Sequence, residues 1–124
     1  MSDTPVKHIL IIEDDRDILD ALVDLLGEEG YRISTARNGQ EGIDFLNSSP
    51  DLPSLILLDL MMPVKDGRAF RLEQKDHPRY GIIPVILMSA DGRIEGKKAD
   101  YAIEHHIRKP ADVTTILNMI EKLA

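Results

Sequence analysis

Three short, unbroken apolar runs constrain this chain more than any other feature: Ile9-Leu10-Ile11-Ile12, Leu55-Ile56-Leu57-Leu58 and Val85-Ile86-Leu87-Met88. A strand with one face in water alternates apolar and polar residues, whereas a run apolar at every position suits a strand buried on both faces. Segments of helical periodicity separate the runs, and this alternation builds a parallel sheet covered by helices. Two weaker runs complete the set. Residues 31–35 alternate, and residues 105–109 hold one aliphatic side chain, so both are expected nearer a sheet edge.

The helical segments carry their own signals. Ile18, Leu22 and Leu25, with Leu19 and Leu26 beside them, follow helical spacing, and Gly27 and Gly30 supply stop signals. Asn38-Gly39 could form a hairpin turn, but Ile43 and Leu46 follow at helical spacing, so Asn38 reads as a helix cap and Ser48-Ser49-Pro50 as the end of that helix. Val113, Ile116, Leu117 and Ile120 repeat at i, i+3, i+4 and i+7 behind Pro110. Residues 67–75 and 92–103 are weaker helices. The second contains Gly92 and Gly96 and is expected to be short or mobile. With no repeat or linker, the expectation is one domain of five βα units over residues 1–124, with no effector domain.

Composition narrows the chemistry. The chain has 124 residues, of which 43% are hydrophobic, enough for one core without disulfides or structural metals. It has no cysteine, which removes thiolate catalysis and thiolate zinc sites and fits a reducing cytoplasm. A formal charge of −7 opposes direct nucleic-acid binding, and the run from Ile9 to Ile12 is too short for membrane insertion.

In a doubly wound sheet, ligands bind outside the carboxyl ends of the strands. Glu13-Asp14-Asp15 follows the first run, Asp59 the third strand candidate and Ser89 the fourth, while Lys109 ends the fifth. Singly, Asp14 and Asp15 could cap a helix, Asp59 could merely end a strand, Ser89 could be a loop hydroxyl and Lys109 a solvated charge. Together they suit phosphoryl transfer to a carboxylate. Clustered acids without thiolates form an all-oxygen site for Mg²⁺, and a lysine and a hydroxyl can neutralise further phosphoryl oxygens. Gly67 could allow a tight loop after Met62-Pro63, and Ala90 could leave room for phosphate.

Glu13-Asp14-Asp15, Asp59-Leu60-Met61-Met62-Pro63 with Asp66-Gly67, Ser89-Ala90 and Lys109-Pro110 occur in this order over nearly the whole chain, and the pattern resembles the receiver domain of response regulators. The resemblance implies a flavodoxin-like, doubly wound, five-stranded parallel sheet, (βα)5, with strand order 2-1-3-4-5. It implies Asp59 as phosphoacceptor, Asp14, Asp15, Asp59 and the Met61 carbonyl as Mg²⁺ ligands, and Ser89 and Lys109 as phosphoryl-binding groups. A histidine kinase or histidine phosphotransfer protein would donate the phosphoryl group, and a downstream protein target would read the result. Such a domain catalyses its own modification and is not a conventional enzyme.

Two departures fall on the family's usual output face. His106 stands where an aromatic residue normally acts as a switch with the hydroxyl residue, here Ser89. The stretch from Ser89 to Lys109 is about two residues shorter than usual. Two other functions are weighed. One is a docking pseudo-receiver that is never phosphorylated. The other is a Mg²⁺-dependent phosphohydrolase with an aspartyl-phosphate intermediate; haloacid-dehalogenase-like enzymes have a second acid where this chain has Met61.

Overall fold

The computed structural model describes residues 6–90 and 103–124. The strands are β1 (His8–Ile12), β2 (Arg32–Ala36), β3 (Leu55–Asp59), β4 (Val85–Ser89) and β5 (His105–Arg108). The helices are α1 (Arg16–Glu28), α2 (Gly39–Ser48), α3 (Gly67–Gln74) and α4 (Val113–Leu123). All sheet pairings are parallel, in the order β2-β1-β3-β4-β5. This is the expected doubly wound sheet. The helix expected over residues 92–103 lies outside the described residues, apart from Ile103, which is buried.

The apolar runs form the three inner strands, and every residue of β1, β3 and β4 is buried. Their side chains alternate between two cores. Leu10, Ile12, Ile56, Leu58 and Leu87 meet Ile43, Leu46 and Phe70 of α2 and α3. Ile9, Ile11, Leu57, Ile86 and Met88 meet Leu22, Leu26, Ile116 and Ile120 of α1 and α4. Each fully buried aliphatic side chain contributes roughly 1.5–3 kcal/mol. The two weaker runs lie at the edges, where one side of the ladder is open and less apolar area is covered.

Local signals set the helix ends. Asn38 Oδ1 accepts the Glu41 N–H at 2.9 Å, and Glu41 Oε1 accepts the Arg37 N–H at 3.0 Å, a reciprocal cap that rules out the hairpin. Gly27 lies inside α1, and the chain turns at Gly30, whose φ is 91°. Pro110 precedes α4, but the cap itself is Asp112, which accepts the Thr115 N–H at 2.7 Å. No helix of the described residues is long and apolar enough to cross a membrane.

Candidate functional site

Parallel pairing brings the carboxyl ends of β1, β3, β4 and β5 to one edge, and main-chain bonds continue the ladder past them. The Glu13 N–H donates to the Ala36 carbonyl at 3.0 Å, Leu60 N–H to Met88 at 3.2 Å and Lys109 N–H to Ser89 at 2.9 Å. These bonds tie the residues just beyond the strands to the sheet. A cavity of about 330 Å³ opens there, lined by residues that include Glu13, Asp14, Asp59, Met61, Ser89 and Lys109.

Lys109 organises the floor of this cavity. Its Nζ donates to Glu13 Oε1 and to Asp59 Oδ1, each at 2.9 Å. The Glu13 and Asp59 side chains are 3% and 9% exposed, so water screens their mutual repulsion poorly. Burial, with the adjacent Asp59 carboxylate, pushes the Glu13 carboxyl up to about 7 against the pull of Lys109. Burial draws the Lys109 ammonium down, but its bonds to Glu13 and Asp59 outweigh this, and its pKa is raised.

Oxygen atoms of Glu13, Asp14 and Asp59 all lie within 4.8 Å of one another, with Asp14 exposed and the other two buried. Asp15 has another task. Its Oδ1 accepts the Ile18 N–H at 3.1 Å, so it caps α1 while also bordering the cavity. The converging acids therefore sit one position earlier than the expected Asp14 and Asp15 pair. Glu13, part of the quoted motif but given no role there, is the residue sequence reasoning missed. The available signal was its position directly after the last apolar residue of the run, two residues beyond Ile11.

The other expected residues are placed as follows. Asp59 ends β3, and Ser89 ends β4 with 3% exposure. Met61 borders the cavity with its side chain largely in solvent. Gly67 starts α3 where a Cβ would lie 2.8 Å from Leu60 Cα and against the Asp59 carbonyl, so the loop following Asp59 closes only around glycine. His106 is half-buried on β5, in register with Leu87 rather than at the cavity. A larger apolar groove of about 510 Å³ runs beside the site between α1 and α4 and shares Ala90 and Lys109 with it.

Comparison with known proteins agrees with this architecture. Residues 9–121 match the family described as the response regulator receiver domain. Response regulator RR06 of Streptococcus pneumoniae is 34% identical over 119 residues, which cover 94% of this chain and 52% of that protein. The chain thus spans about half the length of that relative. The crystal structure of the signal receiver domain of a signal transduction histidine kinase from Syntrophus aciditrophicus superposes with a TM-score of 0.87 at 32% identity, covering 95% of this chain and 89% of that one. The receiver domain of the sensor histidine kinase PA1611 of Pseudomonas aeruginosa, solved with a magnesium ion coordinated in its active site cleft, shares the fold. Its TM-score is 0.84 at 19% identity, with 96% of this chain and 98% of that one covered. With a matching profile over nearly its full length and the same doubly wound sheet, the chain belongs to the response regulator receiver domain family of two-component signalling.

Proposed function

We propose that this domain accepts a phosphoryl group on Asp59 in a Mg²⁺-dependent reaction and signals the change to a protein partner. One observation carries the reading: a single ammonium, Lys109, bridges two buried carboxylates, Glu13 and Asp59, beside Ser89 in one open cavity. A buried ion pair kept only for structure balances its charges. Here the acids outnumber the cation and face space large enough for a phosphoryl group.

The donors fit magnesium. Glu13, Asp14 and Asp59 offer carboxylate oxygens and Met61 a main-chain carbonyl, an all-oxygen set of the kind hard divalent cations prefer. Burial first, and the neighbouring Asp59 carboxylate second, push the Glu13 carboxyl up, and a cation held beside both acids would offset their repulsion. Magnesium bound there supplies charge against the phosphoryl oxygens. The magnesium ion in the PA1611 cleft supports the assignment.

The chain's own groups divide the remaining work. An Asp59 oxygen forms the new O–P bond as the P–N bond of a phosphohistidine, or the P–O bond of an acyl phosphate, breaks in line. Lys109 already holds Asp59 Oδ1 at 2.9 Å, so it orients the nucleophile and can turn one of its three N–H donors to a phosphoryl oxygen. Ser89 offers a hydroxyl from the neighbouring strand. The donor is a histidine kinase or histidine phosphotransfer protein in the cytoplasm. The reader is a protein target that senses a shift at Ser89 and His106, the proposed switch residues. Stoichiometric self-modification sets the domain apart from a conventional enzyme.

Incubation with acetyl phosphate and Mg²⁺, followed by intact-mass spectrometry, tests the reading. One phosphoryl adduct is expected on the wild type and none on Asp59→Asn. An unmodified wild type would favour a docking module, and rapid turnover of varied phosphate esters would favour a hydrolase.

A further inference from the structure

The loop between β3 and α3 contains a backbone feature that none of these roles uses. Val64 has a φ of 67°, a left-handed conformation in which any Cβ crowds the adjoining carbonyl, so that residues other than glycine rarely adopt it. The Lys65 N–H donates to the Pro63 carbonyl at 2.7 Å, which closes a three-residue γ-turn around Val64. With positive φ this is the strained form of the γ-turn. The Val64 side chain is 85% exposed, so no packing compensates for the strain.

What holds the turn is contact at its edges. The Gly39 N–H, the first of α2, donates to the Lys65 carbonyl at 2.8 Å. A Cβ on residue 39 would lie 2.5 Å from that carbonyl oxygen, so the approach requires glycine. Lys65 Nζ binds Glu73 Oε2 of α3 at 2.6 Å. The Gly67 N–H donates to the Leu60 carbonyl at 2.8 Å and closes the loop at its base. Met61 lies inside this closed loop and borders the site cavity.

We infer that Val64 is a positioning residue: the cost of its left-handed conformation sets how often the loop closes, and hence how often the Met61 carbonyl is presented to the cation. The inference rests on the Mg²⁺ site proposed above. It makes cation binding and loop closure mutually supporting, since a cation that uses the Met61 carbonyl binds only the closed form. Glycine adopts positive φ at no steric cost, so Val64→Gly keeps the turn and removes the strain. Alanine removes the branched side chain but keeps the Cβ and most of the penalty.

Two measurements separate this inference from the reading it rests on. In metal-free protein, amide hydrogen exchange at Gly39 and Lys65 reports closure directly, and Val64→Gly is expected to slow it by about threefold to tenfold, with Val64→Ala near wild type. In calorimetric titration with magnesium chloride, Val64→Gly is expected to bind about twofold more tightly than wild type, the ceiling for a loop already closed at least half of the time, and Val64→Ala close to wild type. Equal exchange in Val64→Gly and wild type overturns the strained latch. Slower exchange with unchanged Mg²⁺ affinity overturns the positioning role. A full effect from Val64→Ala overturns the backbone origin and assigns it to the exposed side chain. If Mg²⁺ binds none of the proteins, wild type included, the metal reading fails and the positioning role with it, while the exchange data still decide whether the latch exists.

Discussion

Two buried polar clusters sit at opposite edges of the sheet, and they are built on opposite principles. Beside the start of β4, fully buried Gln74 donates through Nε2 to the Tyr80 carbonyl at 2.8 Å and the Ile83 carbonyl at 3.3 Å, while Arg71 Nη1 donates to its Oε1 at 2.5 Å. The amide therefore has partners on both its oxygen and its nitrogen. At the other edge, Glu13 and Asp59 share one lysine and repel each other. A network whose donors and acceptors are matched stabilises the fold, whereas an under-compensated acidic one gives up stability and retains affinity for a cation and an anion bound together. The contrast separates residues that hold the structure from residues that perform its chemistry.

Gln74→Leu should break the stabilising cluster and produce the largest effect. It removes the Gln74 donor from the Ile83 carbonyl and from the Tyr80 carbonyl, which keeps only the long bond from the Ile83 N–H at 3.3 Å, and it removes one acceptor of Arg71, so a loss of about 2–4 kcal/mol in urea denaturation is expected. Mg²⁺ affinity should not move, because the hydrogen-bond partners of Gln74, namely Arg71, Tyr80 and Ile83, do not line the site cavity. A variant that lost both together would show that the two edges are coupled.

The acidic cluster should reveal itself through pH. In the unfolded chain the Glu13 carboxyl titrates at its ordinary value of 4.5, and in the folded chain at about 7. Between these values the folded form binds more protons, so the contribution to stability is complete below the lower value and is lost as pH rises through the upper one. For metal-free protein the fall should be on the order of 2 kcal/mol. Lys109, raised above its ordinary 10.5, contributes no slope in this window. Glu13→Gln should flatten the fall. Thermal melting across pH 4.5–7 in chelator checks this, and an unchanged slope in Glu13→Gln would assign it to another group.

How much of this could be read from the sequence differs between the two clusters. The apolar runs disclosed the inner strands because burial on both faces leaves no polar position, and Asp59, Ser89 and Lys109 followed as the residues at or just past strand ends. Gln74 was invisible: a polar residue at the end of a weak helix resembles a solvated one until the loop at Tyr80 folds back over it. The γ-turn at Val64 was equally hidden, since neighbouring residues rather than its own propensity force the conformation. In Glu13-Asp14-Asp15, three adjacent acids do not announce where the strand's ladder ends and the helix cap begins. Only the Ile18 N–H on Asp15 and the Ala36 carbonyl on Glu13 resolve the register.

That register can be tested with the smallest change of all. Asparagine caps a helix about as well as aspartate, so Asp15→Asn should keep the bond from the Ile18 N–H and shift stability by no more than about 0.5 kcal/mol. It should also leave Mg²⁺ affinity within about twofold, because Asp15 borders the cavity with its carboxylate engaged in the cap and is not among the acids that converge within 4.8 Å. Asp14→Asn makes the same chemical change one residue earlier, on an exposed carboxylate within the 4.8 Å cluster, and should weaken Mg²⁺ binding at least about tenfold in the same titration. Equal losses in the two variants would return Asp15 to the ligand set and place the cap bond in competition with the metal.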